Sequence, residues 1–518
     1  MSAVTLFAVL IVLAIFAGLA MASRHRDKII TKIASTALPK SHDATPLDRH
    51  WINLSSVHSE PSAISLIQSN LGAFAVRVGS ARAAGRSLDL MYYMWNADLT
   101  GQLVMREVIA AADRGVRVRL LLDDLGVSIS DRAFHAIDSH PNIELRLFNP
   151  TKARENVIRR GLELLMRFRS VNRRMHNKAW IADGRVLIVG GRNIGDAYFD
   201  AAENANFRDF DVIAHGECVA QAEEIFDDYW NSAVAVPVRS LLARRPNKLA
   251  KLRRRMDVLA SGDAASPYLA QVERQHHSGN FLTADNLHWV DNAQVVADPP
   301  EKAAGKRRTG RNFLMETLLP LMEETKHKLK ITSPYFIPGQ KGVETLSRLS
   351  ASGVSVSVLT NSLAATDVAA VHAGYSRYRR PLLVNGIKLH ELRLLADDHK
   401  SFSLRGSGQA SLHTKAFTRD GETGFIGSLN FDPRSMSLNT EMGVLFSSEE
   451  LVREMDEIFK EETSREMSFE LALDERKNLT WTGLVRGKPQ HYRYEPYASV
   501  SRRVLAGIMG FLPLESQL

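Results

Sequence analysis

The chain has 518 residues, 45% hydrophobic and 24% charged, and 66 Lys+Arg against 58 Asp+Glu leave a formal charge of +8. That length exceeds what a single hydrophobic core usually serves, and the apolar content excludes a disordered chain. The single cysteine, Cys218, excludes an internal disulfide framework and a cysteine-ligated zinc cluster.

In chain order, the first feature is a 19-residue uncharged run at 4–22, long enough at helical rise to cross a bilayer. It reads as a retained transmembrane anchor within 1–23; the alternative is a secretory signal cleaved near Ala20-Met21-Ala22, although no Lys or Arg precedes the run. Arg24, His25, Arg26, Lys28 and Lys32 follow it, which would hold an anchored body on the cytoplasmic side. A cleaved signal would release it on the other side.

After a helical connecting region at 24–87, the chain is written twice. In the first copy, 88–239, the pattern predicts a strand at 88–95, a helix at 102–114, strands at 116–122 and 143–148, a hairpin at 175–189 turning at Asp183-Gly184, a strand at 210–214 and a helix at 217–229. A basic linker and insertion, 240–327, separates it from the second copy, 328–465, with 241–255 and 299–308 read as linker and loop rather than core. The second copy repeats the order: strand 329–336, a helix from about 342, strand 354–359, helix 367–383, strand 387–392, a hairpin at 412–426 turning at Asp420-Gly421, strand 442–446 and helix 449–461. A C-terminal extension occupies 466–518. Alternating strands and helices in two similar units predict an α/β fold, with two sheet-and-helix halves related by a pseudo-twofold around one shared active site.

The chemistry-bearing residues follow the repeat. His176-Asn177-Lys178, Asp183 and Gly190-Gly191-Arg192-Asn193 match His413-Thr414-Lys415, Asp420 and Gly427-Ser428-Leu429-Asn430, with the two histidines 413 − 176 = 237 residues apart. Residues two apart in an extended chain share a face, so each His-Lys pair can point into one cleft. Those types suit phosphodiester chemistry: one imidazole attacks phosphorus and the other protonates the departing oxygen. Lys178, Lys415, Asn193 and Asn430 stabilise charge on the nonbridging oxygens, with no cofactor or metal required. Ser428 adds a hydrogen bond for which Gly191 has no counterpart. Asp209 and Glu441, each shortly after its motif, fit as orienters of the histidines. Asp183 and Asp420 sit at turns, where side-chain bonding to backbone competes with a role at phosphate. Tyr92, Tyr93 and Trp95, and Tyr335 in the counterpart segment, either wall the cleft or pack in the core. Arg167, Arg169, Arg173 and Arg174 meet phosphate groups or form a solvated helix face.

The paired His-x-Lys-x4-Asp segments resemble the phospholipase D superfamily. That resemblance implies one active site built from both halves, with His176, Lys178, Asp183 and Asn193 joined by His413, Lys415, Asp420 and Asn430, His176 as the nucleophile and His413 as acid and base. A narrower likeness, carried by Thr360-Asn361-Ser362-Leu363-Ala364-Ala365-Thr366-Asp367, Asn439-Thr440-Glu441, Glu495-Pro496 and the last residues 512–518, is to the bacterial cardiolipin synthase C branch. It implies transfer of a phosphatidyl group from phosphatidylethanolamine or phosphatidylglycerol to phosphatidylglycerol. It also implies phospholipid substrates, a location at the bacterial inner (cytoplasmic) membrane, and a small accessory protein as partner, with no nucleic acid. The motifs do not separate this from a phospholipase D that hydrolyses phospholipid; the further alternatives are a nuclease of the superfamily, against which the apolar N-terminus and the lack of a nucleic-acid-binding module weigh, and a non-catalytic membrane scaffold, against which the two intact motifs weigh.

Overall fold

A computed structural model describes residues 33–151, 153–154, 157–203, 206–242, 248–277, 287–305, 313–393, 410–510 and 515–517. Met1–Ala34 and Ser35–Leu518 are separate units, and all that follows concerns the second. The expectation of a transmembrane helix, and with it an inner-membrane location through a single N-terminal anchor, is corrected: among the described residues no helix is long and apolar enough to cross a membrane. The run at 4–22 that prompted it lies outside the described residues, as do the basic residues behind it.

Strands of the first half are β1 (Ser62–Ile67), β2 (Ser87–Tyr92), β3 (Arg117–Asp123), β4 (Ile143–Phe148), β5 (Ala179–Ala182), β6 (Val186–Gly190), β7 (Asn206–Arg208), β8 (Asp211–Gly216) and β9 (Ala235–Pro237). The insertion supplies β10 (His288–Val290) and β11 (Ala293–Ala297). The second half supplies β12 (Lys328–Thr332), β13 (Ser355–Asn361), β14 (Lys388–Leu392), β15 (Ala410–Leu412), β16 (Ala416–Arg419), β17 (Thr423–Gly427) and β18 (Met442–Ser447), and the extension β19 (Ser468–Leu473), β20 (Leu479–Val485) and β21 (Lys488–Tyr492).

Among the described residues, one sheet runs β10-β1-β8-β6-β5-β2-β3-β4-β9 and the other β11-β18-β17-β16-β12-β13-β14-β19-β20-β21. Aligned from β1 and from β11, the two orders correspond strand for strand through β9 and β19. Within each, β2, β3 and β4, or β12, β13 and β14, are parallel, and the hairpin strand beside them is antiparallel. The parallel strands of the first half are buried along nearly their whole length, as in β3, where Val118, Leu120, Leu121 and Leu122 are fully buried and Arg119 is paired with Asp89. Both hairpins turn through two residues of positive φ, Asp183 (52°) with Gly184 (64°) and Asp420 (54°) with Gly421 (78°), the geometry that Asp-Gly favours.

The halves share a core. One buried cluster contains Met91, Leu121, Val189 and Val212 from the first half with Ala416, Ile426, Val444 and Phe446 from the second. Sheet identity and order therefore follow from burying the same apolar face twice against itself.

Four sequence expectations change. The described part of the region 24–87 is more than a connection: β1 pairs with β8, and the helix Asn70–Ala83 packs in the first core through Phe74 and Val78. The basic stretch 241–255 holds most of a helix, Leu249–Ala260, whose Leu249 and Met256 are buried and whose Asp257 accepts from Arg106 Nε at 2.8 Å. Within 299–308, Pro300, Lys302 and Ala303 are buried, because Lys302 makes an ion pair with Asp298 at 2.8 Å inside the protein. The helix expected over 367–383 is two helices, Ala369–Ser376 and Arg379–Val384, with Pro381 in the first turn of the second, where its missing N–H is harmless.

Candidate active site

The two His-x-Lys segments lie where the halves exchange backbone hydrogen bonds. His176 N donates to Thr440 O at 2.9 Å, and His413 N donates to Arg208 O at 2.7 Å, continuing the parallel pairing of β15 with β7. The residue after each acceptor is the carboxylate in question, so pairing the backbones delivers Glu441 to His176 and Asp209 to His413. His176 Nδ1 donates to Glu441 Oε2 at 2.7 Å, and His413 Nδ1 donates to Asp209 Oδ2 at 2.5 Å. The orienting acids thus come from the opposite half, each one following the motif it does not serve. A carboxylate on Nδ1 fixes the tautomer and leaves Nε2 as the reactive nitrogen. The rings keep a little exposure, 11% and 9% of their side chains.

Lys178 Nζ donates to His176 O at 2.5 Å, and Lys415 Nζ donates to His413 O. This is the same-face placement that the two-residue spacing implies. Both ammonium groups are buried. Burial pushes Lys178 down to about 7 despite the pull of Glu441, and burial also lowers Lys415 against the pull of Asp209. Burial lowers His176 to about 4, with Glu441 opposing, and holds His413 well below the ordinary imidazole range, with Lys415 and Lys178 adding to it. Burial pushes Asp209 up to about 6 in spite of Lys415 and Arg192. Glu441 is also lifted by burial, but the His176 ring and Lys178 outweigh that and hold it below its usual value. Burial is the largest single influence on each of these groups, and an anionic phosphate bound beside the lysines would favour their charged form.

The asymmetry between Gly191 and Ser428 has a steric reason. A Cβ at Gly191 would lie 2.3 Å from Asp209 Oδ1, so only glycine leaves room for that carboxylate. Ser428 Oγ instead donates to Glu441 Oε2 at 2.5 Å and accepts from Met442 N at 3.0 Å. Its bond is to the acid rather than to a bound phosphate.

Asn193 and Asn430 also differ. Asn193 accepts from Met94 N at 3.1 Å and donates to Tyr198 Oη at 2.8 Å, whereas the buried Asn430 Oδ1 has no hydrogen-bond partner. Tyr198 and Phe207 pack against the His413 ring, at 5.3 and 4.8 Å between centroids, and Tyr93 against His176 at 5.1 Å. Tyr93 is therefore a wall of the site. Tyr92 and Trp95 are core: Tyr92 Oη accepts from Arg77 Nε, and Trp95 Nε1 donates to Gly101 O.

Asp183 and Asp420 do not reach the histidines. Asp183 accepts from the backbone N–H of Gly85, Arg86 and Ser87, and Asp420 from those of Lys326, His327 and Lys328. Each lies seven positions along a largely extended chain from its histidine, roughly 20 Å away. Two of the arginines before the first motif likewise brace the fold: Arg174 pairs with Asp123 at 3.1 Å, and Arg173 donates to Lys302 O and Ser437 O.

Sequence reasoning missed three supports. Arg192 is fully buried and donates to Ile67 O, Gln68 O and Asp209 O, fixing the segment between β7 and β8 that carries Asp209. Asp298 accepts from Glu441 N at 2.9 Å and from Lys302 Nζ, doing the same for the other acid. Tyr198 had no counterpart in the second motif to mark it.

A duplicated α/β fold closing on two histidine-lysine pairs defines a phospholipase D-like enzyme, and the family described as cardiolipin synthase, phospholipase D-like domain, matches residues 80–230 and 318–463. The chain belongs to that family and catalyses the phosphodiester and phosphatidyl-transfer chemistry of the phospholipase D superfamily. It is 38% identical over 469 residues to cardiolipin synthase C of Escherichia coli (strain K12), covering 89% of this chain and 97% of that one. It is also 30% identical to an uncharacterized protein of Helicobacter pylori (strain ATCC 700392 / 26695), over 94% of this chain and 96% of the other. Among solved structures, phosphatidylserine synthase of Haemophilus influenzae Rd KW20 shares the fold with a TM-score of 0.57 at 14% identity, covering 91% of this chain and all of that one.

Proposed function

We propose that the protein is a phosphatidyltransferase of the cardiolipin synthase type, forming cardiolipin from phosphatidylglycerol and a second phospholipid. The observation that carries the chemistry is the crossed arrangement, in which each histidine is oriented by the other half's carboxylate and keeps Nε2 for reaction. In the first step His176 Nε2 attacks phosphorus, the bond from phosphorus to the head-group oxygen breaks, and His413, entering as the imidazolium that the charge of the bound phosphate favours, gives that oxygen the proton on its Nε2. In the second, the terminal hydroxyl of phosphatidylglycerol gives its proton to His413 as its oxygen attacks phosphorus, and the bond to His176 breaks. Lys178 and Lys415 hold the nonbridging oxygens throughout. The 38% identity to a cardiolipin synthase across nearly the whole of both chains favours a lipid alcohol over water as acceptor.

The test is product analysis with the full chain in mixed phosphatidylethanolamine and phosphatidylglycerol vesicles. Cardiolipin that disappears with His176→Ala and with His413→Ala supports the reading. Histidine-dependent phosphatidic acid without cardiolipin replaces it with a hydrolase.

A further inference from the structure

The helix Val500–Gly510 is apolar on two sides. Its small Ala506 packs with Ala498, Leu363 and Ala373, joining it to the helix Ala369–Ser376. On its outer side Val500, Val504 and Ile508, four residues apart, are 70%, 56% and 59% exposed, with Leu505 beside them at 46%. A second helix, Val157–Met166, shows the same pattern: Ile158 (83%), Leu162 (36%), Leu165 (75%) and Met166 (46%) form a stripe at helical spacing with no described residue covering it. Isolated exposed apolar residues need no explanation, but two helical stripes of large side chains do.

The two helices frame the site just described. Arg502, on the first, donates to Thr366 O, and the neighbouring Asp367 accepts from Tyr335 Oη and acts electrostatically on His413 and Lys415. The second helix leads within ten residues to His176. The C-terminal turn that follows the first helix contacts the segment that follows the second: Asn172 Nδ2 donates to Gln517 Oε1 at 2.7 Å, while Tyr378 Oη donates to Glu515. Both helices thus connect to segments on the side of the carboxyl ends of the parallel strands, where Asp123 at the end of β3 accepts from Met175 N and Asn361 at the end of β13 donates to Leu412 O, each next to a site histidine.

Their charge indicates the occupant. The helix Val500–Gly510 carries Arg502 and Arg503 and no acid, and Val157–Met166 carries Arg159 and Arg160 against Glu163, which Arg167 neutralises at 2.5 Å. Tyr494 and Tyr497, just ahead of the first, are 59% and 52% exposed. Apolar stripes flanked by arginine and tyrosine match an anionic phospholipid surface, in which the side chains enter the acyl boundary and the guanidinium groups meet phosphates.

We infer that the helices Val157–Met166 and Val500–Gly510 form a two-part rim that seats the mouth of the active site on an anionic phospholipid surface. The inference rests on the reading of phospholipid substrates, since such a rim would let a lipid head group reach the histidines without its acyl chains leaving the bilayer. It requires no membrane-spanning helix.

Spin labels test it in the full chain. Cys218 is buried, so Leu165→Cys, Ile508→Cys and, as a control on another face, Val258→Cys (73% exposed) can be labelled singly. On vesicles containing phosphatidylglycerol, the labels at 165 and 508 should gain collisions with oxygen and lose collisions with a water-soluble nickel chelate, by several-fold, while that at 258 stays aqueous. The double variant Leu165→Ser/Ile508→Ser should turn over vesicle substrate at least tenfold more slowly but retain its rate on a short-chain, monomeric phospholipid. Labels at 165 and 508 that remain as aqueous as that at 258, or that become shielded without vesicles because a second copy covers them, would overturn the inference. An equal loss on both substrates would also overturn it, as structural damage. Label insertion is read without turnover, so it separates failure of the rim from failure of the proposed reaction.

Discussion

Burying an ammonium group costs free energy unless an anion accompanies it, and Lys178 is buried with only its neighbour's carbonyl as a hydrogen-bond partner. Its pKa falls to about 7 from an ordinary 10.5. Between those values the unfolded chain binds more protons than the folded one, so Lys178 makes stability rise with pH across that window. Lys178→Met should therefore stabilise the empty protein near pH 6, on the order of a few kcal/mol, and by progressively less toward pH 10, while lowering turnover by about a thousandfold. Urea unfolding at several pH values, paired with activity, checks both halves of that expectation.

Glu441 raises the pKa of His176 against the effect of burial. Removing its charge with Glu441→Gln lowers that pKa further, so the acidic limb of the rate profile, where neutral His176 is lost, should move below about 4 as kcat falls by about a hundredfold or more. At Gly191 the two motifs cannot be exchanged: Gly191→Ser would drive a side chain into Asp209, and a loss of activity of about a hundredfold is expected, measured beside the stability of the variant. The histidines and lysines were legible in the sequence because they recur at matched offsets. The crossing of the acids was not, since an acid a few residues before a strand is compatible with either half until the backbone pairing is known.

Among elements, the two hairpins carry the most information. The Asp-Gly turns were readable from residue type, and their positive φ angles follow from it. The aspartates themselves have a different role from the one the motif resemblance implies. Asp183 collects three backbone N–H groups ahead of β2, so Asp183→Ala should destabilise the protein by about 2 kcal/mol, leaving kcat of the folded fraction within about twofold. A loss of kcat in a fully folded variant would return Asp183 to the chemistry. Elements whose burial comes from distant partners were the ones misread: β1 is a short apolar run that declares itself only by pairing with β8, and the basic helix Leu249–Ala260 is held by one narrow face. Local pattern reports the period of an element and says little about what it will meet.

At the scale of the whole molecule, duplication explains both the fold and the site. The matching strand orders place the two His-x-Lys segments in equivalent positions, and the shared core leaves the interface as the place where they converge. That much was legible, because a repeat of this length with matching motifs admits few arrangements. The membrane-spanning expectation rested on composition alone, and no helix of the described body supports it. Neither half holds a complete site. The most direct test of that claim is to mix the full chain with phosphatidylglycerol labelled at phosphorus, quench rapidly and locate the label on the protein. The shared-site account expects label on His176, forming more slowly when His413 is replaced by Ala and absent when His176 is replaced. Label that persists in His176→Ala, or that distributes equally over both histidines, would contradict it.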